Sequence, residues 1–397
     1  MKFSKRILEI QHSPIRRFYV YANQAIKSGK KVYHLNIGQP DIKTPEVFFE
    51  AVRSFSAEVL EYAPSQGIQS TIEAVKEYYA RYGMKYEDDE ILITNGGSEA
   101  IIFTLTALLN PGDEVIVFEP IYSNYATFIL AQDGKMVPVT TVAEDGYHYA
   151  KKEVIEKAVT KRTKAMIITN PGNPTGHVLD WHEMRMICNL AKEHGFYIIA
   201  DEVYREFVYD GKKMASMGEF DDAADHVIII DSISKRFSAC GARIGCIITK
   251  NSELYSNILK LCQGRLSAPT LDQVGATALY GLDPSYFDEV KEEYEHRRNV
   301  AFEELMKIEG VVCVKPAGAF YITVKLPVDD AEEFLIWLLC DFDVDGETVM
   351  FAPAEGFYIT PGLGRDEIRI AYVLNERDLR RAIGIIRQGL SEYNRRG

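Results

Sequence analysis

The stretch that decides the fold of this chain is VIIIDSISKRFSACGARIGCIIT, residues 227–249. Two apolar runs, VIII and IGCII, frame it and are typical of strands in a sheet that is covered on both faces. Between them lie two cations, Lys235 and Arg243. Burying an ammonium group is costly unless the group finds a partner, so the lysine needs an explanation. Either it lies at a strand end and reaches into water, or it belongs to a binding site.

Similar apolar runs recur along the chain between residues 90 and 250, and helical patterns separate several of them. Strands that alternate with helices predict an α/β domain with a mostly parallel, seven-stranded sheet between helices. The predicted strands are ILI (91–93), VIVF (115–118), MVPV (136–139), AMII (165–168), FYIIA (196–200), VIII (227–230) and IGCIIT (244–249).

The pattern changes near residue 285, where a charged helical stretch begins and short strands and two further helices follow. This mixture predicts a smaller α+β domain, and 397 residues are enough for two domains. We expect an N-terminal arm over 1–45 that packs with the small domain, a large domain over 46–284 and the small domain over 285–397.

The amino-acid composition limits the classes of molecule that the protein is expected to bind. The net charge of −13 argues against nucleic acid and against an anionic membrane surface. No apolar run approaches the length of a membrane span. The six cysteines are scattered without a CxxC pair, which predicts reduced thiols in a cytoplasmic protein and neither a disulfide framework nor a metal site.

Polar residues follow five of the predicted strands directly. In a parallel sheet, ligands bind where the strands end at their carboxyl edge. One polar strand end is ordinary, but five in succession predict a ligand site at that edge. The five segments are TNGGSEA (94–100), EPIYSNY (119–125), TNPGNPTG (169–176), DEVY (201–204) and DSISK (231–235).

The segment TNGGSEA has the features of a phosphate site. Its glycines let the backbone approach a ligand closely, and the N-terminus of the helix that follows offers free N–H groups. Ser232, Ser234 and Arg243 can complete such a site, because arginine binds phosphate through two parallel hydrogen bonds. The alternative is an ordinary turn in which Ser98 caps the helix.

Other strand ends supply a carboxylate, a phenol, an amide and an aromatic ring, namely Asp201, Tyr204, Asn173 and Tyr122. Each has an ordinary alternative, since Asp201 can cap a turn and Asn173 is a common turn residue. Together with a lysine and a phosphate cradle they suit pyridoxal phosphate. Its aldehyde bonds to a lysine amine, its pyridine nitrogen needs a carboxylate, and its ring stacks on an aromatic side chain.

With these residues the chain resembles a known family. It is the class I/II aminotransferases among the fold-type I pyridoxal-phosphate enzymes, which include the aspartate aminotransferases. The motifs that carry the resemblance run in order through almost the whole chain. They are NIGQPDIKTP (36–45), YAPSQG (62–67), TNGGSEA (94–100), PIYSNY (120–125), NPGNPTG (170–176), DEVY (201–204), SISKRFSACGARIG (232–245), PAGAFY (316–321) and EIRIAYV (367–373).

The resemblance implies a role for each matching residue. Lys235 forms a Schiff base with the cofactor, Asp201 holds its pyridine nitrogen, and Tyr204 and Asn173 donate to its phenolic oxygen. Tyr122 is the ring that stacks on it. The residues implied at the phosphate are Gly97, Ser98, Glu99, Ser232, Ser234 and Arg243.

Two further implications concern the partner subunit and the substrate. Tyr62 resembles a phosphate ligand donated by the other subunit, so the resemblance implies a homodimer with shared active sites. Arg369 resembles the arginine that binds the substrate carboxylate, with help from Asn173 and the backbone of Gly38. The implied reaction moves the amino group of an L-amino acid to a 2-oxo acid.

The side-chain pocket of the substrate is less determined. In one branch of aspartate aminotransferases the glycine loop reads GGK, and that lysine binds the distal carboxylate, whereas this chain has Ser98 there. Arg16 or Arg17 can supply the missing cation, or both can lie on a solvated helix face. Tyr321 and Phe357 can instead line an apolar or aromatic pocket.

Three rival functions share parts of this pattern. A C–S β-lyase of the same fold shares the lysine, aspartate and arginine, so the motifs leave it open. A transcription regulator with an aminotransferase-like domain needs a DNA-binding domain, and we expect none because 35 residues precede Asn36 and the chain is acidic. A Rossmann dehydrogenase is disfavoured because no GxGxxG follows a strand.

Overall fold

The structure is a computed structural model that describes residues 3–396. Its strands are β1 (Lys31–His34), β2 (Ile91–Thr94), β3 (Glu114–Glu119), β4 (Lys135–Thr140), β5 (Thr163–Thr169), β6 (Tyr197–Asp201), β7 (Val227–Ser232), β8 (Gly245–Ile248), β9 (Tyr321–Lys325), β10 (Glu347–Met350), β11 (Ala352–Pro353) and β12 (Glu367–Ala371).

Its α-helices are α1 (Lys5–Glu9), α2 (Tyr19–Lys27), α3 (Glu46–Arg53), α4 (Gln69–Ala80), α5 (Gly96–Leu108), α6 (Asn124–Ala131), α7 (Lys152–Ala158), α8 (Trp181–His194), α9 (Ile233–Arg236), α10 (Ser252–Arg265), α11 (Thr270–Tyr280), α12 (Ser285–Leu305), α13 (Ala331–Cys340) and α14 (Glu376–Tyr393). Among the helices of the described residues, none combines the length and the apolar character that crossing a bilayer requires.

The predicted seven-stranded sheet is confirmed. Its strand order is β2-β8-β7-β6-β5-β3-β4, and β8 alone runs antiparallel to its two neighbours. The residues of β2 and β7 are buried throughout, as expected for strands with helices on both faces. The α/β class expected from the alternating pattern therefore holds.

Two smaller sheets involve the C-terminal part of the chain. β9, β11 and β12 form an antiparallel sheet in the order β11-β12-β9. The strand β1 pairs in parallel with β10, so residues 31–34 lie beside residues 347–350. The first helix, α1, instead contacts the end of α6, where Arg6 pairs with Asp133. The arm over 1–45 and the boundaries at 45 and 284 stay predictions.

The parallel strands bring their polar ends to one edge of the large sheet. β5 ends at Thr169 before the loop 170–177, and β6 ends at Asp201. β7 ends at Ser232, whose side chain accepts a hydrogen bond from the Ser234 amide and so starts the short helix α9. Lys235 is the third residue of that helix. The local caps thus fix where the candidate site residues lie.

Candidate active site

A cavity of about 500 Å³ lies at this edge of the sheet. Its volume falls within the usual range for a cofactor or substrate site. Except for Glu99 and Tyr62, every predicted site residue lines it. These lining residues are Gly38, Gly97, Ser98, Tyr122, Asn173, Asp201, Tyr204, Ser232, Ser234, Lys235, Arg243 and Arg369.

The Lys235 amine points into this cavity and not into bulk water. Its Nζ donates to the carbonyl oxygen of Gly38 at 2.9 Å, which joins the sheet edge to the segment after β1. A backbone carbonyl is a neutral partner that an incoming ligand can replace. The lysine is therefore held beside the other lining residues but is not committed to an ion pair with them.

Asp201 is a buried carboxylate whose hydrogen-bond partners are neutral. The hydroxyl of Tyr125 donates to its Oδ2 at 2.6 Å, and the Val203 amide donates to its Oδ1 at 3.4 Å. Burial raises the pKa of Asp201 to about 6, although the Tyr125 hydrogen bond and the charge of Lys235 oppose the rise. An ionised carboxylate in this position needs a cation, and a protonated pyridine nitrogen is one.

Tyr125 was missed by the sequence reasoning. Its ring lies edge-on to Tyr122 with centroids 5.3 Å apart, and its hydroxyl bonds to both Asp201 and Thr169. The motif PIYSNY contains both tyrosines, and the sequence prediction names Tyr122 alone. Because the two tyrosines are three residues apart, one turn around the start of α6 places both at the cavity.

Tyr204 and Asn173 converge on one point of the cavity wall. The Asn173 amide nitrogen donates to the Tyr204 hydroxyl at 3.4 Å, and that hydroxyl lies 3.0 Å from the hydroxyl of Tyr321. The Asn173 oxygen accepts from the guanidinium of Arg369 at 3.0 Å. This network can present an O–H and an N–H donor to one oxygen of a ligand.

Arg369 is a buried guanidinium with neutral hydrogen-bond acceptors. It donates to the Asn173 oxygen and, at 2.6 Å, to the carbonyl oxygen of Asn36, while its buried Nε has no partner within residues 3–396. Burial lowers the pKa of Arg369 below its usual value. The rings of Tyr321 and Phe357 cover it, with centroids 4.6 and 5.2 Å away. An unpaired buried guanidinium favours binding of a carboxylate.

The start of α5 forms the other end of the cavity. The helix begins at Gly96 with Asn95 as its N-cap, so Ser98 lies in the first turn and does not cap the helix. The first-turn amides have no intrahelical partner and are free for an anion. Gly96 has φ +77°, and a Cβ there would lie 2.4 Å from Nη2 of Arg243. Glycine therefore allows this guanidinium to lie against the helix start.

Two predicted cofactor residues lie outside the cavity. The Glu99 carboxylate accepts from the Asn95 amide at 2.7 Å and pairs with Arg265 at 3.1 Å, so in this chain it holds the start of α5. Tyr62 is 78% exposed. An exposed tyrosine agrees with donation to a second subunit, and both assignments stay predictions.

The structure separates the two candidate arginines. Arg16 lines the cavity, together with Ser13 and Ile15. Arg17 points elsewhere, where its guanidinium pairs with Glu332 and lies 4.8 Å from the centroid of the Phe18 ring. Both residues are exposed, but only Arg17 has an ion-pair partner among residues 3–396, and only Arg16 lines the cavity.

The two aromatic candidates for a substrate pocket also differ. Tyr321 lines the cavity, where its hydroxyl is part of the network with Tyr204. Phe357 is buried behind Arg369 and does not line the cavity. An aromatic pocket built from both side chains is therefore not present in this arrangement.

Comparisons with known proteins agree with this geometry. The family model "Aminotransferase class I and II" matches residues 30–386. The aspartate aminotransferase of Thermotoga maritima is 33% identical over 366 residues, which are 91% of this chain and 93% of that one. The (5-formylfuran-3-yl)methyl phosphate transaminase of Methanocaldococcus jannaschii is 32% identical over 393 residues, which are 98% and 100% of the two chains. The structure of an alanine aminotransferase from Pyrococcus furiosus superimposes with a TM-score of 0.90 at 30% identity, covering 98% and 100%.

The chain belongs to the class I and II aminotransferase family. It is a pyridoxal-phosphate-dependent transaminase, as its motifs predict, and the β-lyase alternative is not favoured. The residues of the cavity fit the cofactor. A buried carboxylate lacks a cation, a guanidinium has a buried nitrogen without a partner, and free helix amides lie beside Arg243.

Proposed function

We propose that the enzyme takes a dicarboxylic amino donor, aspartate or glutamate, and that Arg16 binds the distal carboxylate. The observation that carries this proposal is the position of Arg16 on the cavity wall without an ion-pair partner among residues 3–396, while Arg17 is paired with Glu332. Burial raises the pKa of Tyr122 to about 12, and the charges of Arg369 and, to a smaller extent, Arg16 oppose that rise.

The other cavity residues have separate tasks in this proposal. Pyridoxal phosphate supplies, when bound, a carbonyl that accepts an amine and a ring that takes up the electron pair released at the substrate Cα. Arg369 binds the substrate α-carboxylate and is oriented by the Asn173 oxygen. Asp201 holds its charge beside the ring nitrogen, and Tyr125 fixes the orientation of that carboxylate.

Lys235 attaches the cofactor and then moves a proton. When a substrate amine replaces it, its free Nζ remains at the sheet edge near the carbonyl of Gly38. From there it would take the proton from the substrate Cα as a general base and deliver it to the cofactor carbon as a general acid. Ser232, Ser234 and Arg243 bind the phosphate together with the first amides of α5.

The names of two of these relatives support an anionic donor. Aspartate and a phosphate ester each carry a second anion, whereas alanine carries none. This chain has Ser98 where one aspartate-specific branch has lysine, so the cation must come from another segment. Arg16, on the segment before α2, meets that need.

Replacing Arg16 by glutamine tests the substrate proposal. We expect kcat/KM for aspartate and glutamate to fall by about 10- to 100-fold, because a hydrogen-bonded charge is worth about 1.5–3 kcal/mol. The value for alanine should change by less than about twofold. The measurement is the rate of 2-oxo acid release from each donor under steady-state conditions.

Arg17→Gln is the matched control, since it removes the same charge from the neighbouring position and breaks two contacts outside the cavity, the pair with Glu332 and the contact with the Phe18 ring. We expect it to leave the preference between aspartate and alanine unchanged. An equal loss for all donors in Arg16→Gln, or an equal change of preference in Arg17→Gln, would contradict the role of Arg16. The family assignment does not depend on that result.

We further propose a homodimer in which Tyr62 reaches the phosphate of the other subunit. Tyr62 lies in an exposed apolar segment with Val59 and Leu60, which are 67% and 58% exposed. Exposed apolar side chains in succession favour burial against another protein surface.

The free state of all six cysteines supports a cytoplasmic location.

Light scattering and cofactor titration test the dimer together. We expect a dimer in which Tyr62→Phe weakens pyridoxal phosphate binding by about tenfold, since one hydrogen bond to a charged group is lost. A parent chain that is monomeric, and a Tyr62→Phe variant that binds the cofactor as tightly as the parent chain does, would refute the shared site.

A further inference from the structure

Two histidines and a glutamate lie together outside the cavity and have no part in the reaction. They are His148, His177 and Glu183, and one ligand atom from each lies within 4.8 Å of the others. The two imidazole rings have centroids 5.3 Å apart and are tilted by 48°. Nε2 of His148 already contacts Oε1 of Glu183. The three side chains therefore face one small volume.

The Glu183 carboxylate is held in place by the start of α8. Asp180 is the N-cap of this helix and accepts from the Glu183 amide at 2.8 Å, while Glu183 Oε2 accepts from the Asp180 amide at 2.7 Å. This capping box occupies one carboxylate oxygen and leaves the other facing His148. A ligand oriented by its own hydrogen bond is a recurring feature of metal sites.

His177 contributes a buried nitrogen that has no partner. Its Nε2 is buried and makes no hydrogen bond within residues 3–396. Neutral imidazole is the form of histidine that ligates a metal ion. Buried polar atoms normally have a partner, so this nitrogen is an exception that a bound ion would explain.

The formal charges around the cluster of His148, His177 and Glu183 balance. Asp145 accepts from the His148 amide at 3.3 Å and pairs with Lys151 at 2.9 Å, and Lys212 is the other cation whose charge acts on His177. With Glu183 the neighbourhood holds two carboxylates and two ammonium groups. The His148 and Glu183 side chains are 32% and 21% exposed, so an ion and a water ligand can reach them.

We propose that His148, His177 and Glu183 form a binding site for a divalent transition-metal ion, zinc above all. Two imidazoles and one carboxylate are a ligand set that suits zinc, with water in the fourth position. The calcium and magnesium ions prefer oxygen ligands and do not suit it. The site is independent of the amino donor and of the role of Arg16.

The ion would stabilise the loop 170–177, which carries Asn173. His177 ends this loop, and its carbonyl oxygen accepts from the Gly172 amide at 2.8 Å. Asn173 lies four residues before His177 and orients Arg369. An ion shared by the loop, α8 and the segment around His148 would hold one wall of the cavity. We therefore assign it a stabilising role and no part in proton transfer.

Titration of the holoenzyme with Zn²⁺ and with Co²⁺ tests the proposal, after a chelator has been used and removed. We expect one ion per chain by calorimetry, a visible Co²⁺ absorption band typical of four-coordination, and a higher unfolding temperature with Zn²⁺. His177→Gln and His148→Gln should each weaken binding by about tenfold or more. Glu183→Gln should do the same while keeping the capping box, because glutamine also serves at that helix position.

Matched controls separate this site from adventitious uptake. His182→Gln alters an exposed histidine beside Glu183, and His194→Gln alters a second, more exposed group formed with Glu156 and Glu193. Both should bind one ion as the parent chain does. Uptake that survives His177→Gln and Glu183→Gln, or that disappears in His194→Gln, would overturn the proposal. Unfolding of each variant without metal shows whether it is folded.

Discussion

Lys235→Ala is expected to lower the rate of amino transfer by about 10⁴-fold or more. The substitution removes both the covalent attachment of the cofactor and the base that moves the Cα proton, and general acid–base catalysis alone contributes about 10²–10⁴-fold. The measurement is the release of 2-oxo acid from aspartate in a single turnover, so that slow product release does not mask the chemical step. The absorbance of the lysine-bound cofactor should disappear as well.

The variant should fold normally, because the side chain of Lys235 donates to one backbone carbonyl, that of Gly38, and forms no ion pair among the described residues. Lys250→Ala is the control, since it removes a lysine that pairs with Asp221 at the surface. Activity of Lys235→Ala within tenfold of the parent chain would be incompatible with the assigned role. Loss of activity together with a large fall in unfolding temperature would point to a structural role instead.

The sequence predicts the fold and most of the site for a physical reason that Lys235 illustrates. Buried parallel strands must be apolar, so VIII and FYIIA stand out, and whatever follows such strands lies at one edge of the sheet. Lys235 and Asp201 follow neighbouring strands, and β6 and β7 are indeed adjacent. Adjacent strand ends bring distant residues together without any knowledge of side-chain packing.

Features that depend on side-chain direction do not follow from the same reasoning. Arg16 and Arg17 are equivalent candidates in the sequence. They differ in the structure because Arg17 forms an ion pair with Glu332. Tyr125 is indistinguishable from a core tyrosine until its hydroxyl is found at 2.6 Å from Asp201. The role proposed for Tyr62 involves a second subunit, which a single chain does not contain.

The cluster of His148, His177 and Glu183 shows the same limit. The residues come from the segment before α7, the loop after β5 and the start of α8, and no short motif joins them. The cysteine pattern predicts no metal site, but cysteines are not among these ligands. Packing of three separate segments therefore creates a grouping that spacing along the chain does not reveal.

Asp201→Asn is expected to stabilise the cofactor-free chain at pH 8 and to weaken the binding of the cofactor. In the chain without cofactor, burial raises the pKa of Asp201 to about 6 from an ordinary value of 3.8. The folded state then binds the proton more tightly than the unfolded state, so stability is lost as the pH rises from about 4 to about 6. At pH 8 the variant avoids this loss and should gain up to about 3 kcal/mol in the free energy of unfolding.

The same substitution should weaken pyridoxal phosphate binding and lower the rate of amino transfer by about 100-fold or more, because the ring nitrogen loses its anionic partner. Urea unfolding of the cofactor-free chains at pH 4 and pH 8 measures the first effect, and cofactor titration measures the second. Asp222→Asn is a control in which the change in stability should have the opposite sign, since Lys192 and Arg185 lower the pKa of that exposed carboxyl to about 2. A variant destabilised at pH 8, or one that binds the cofactor normally, would show that Asp201 serves the fold and not the cofactor.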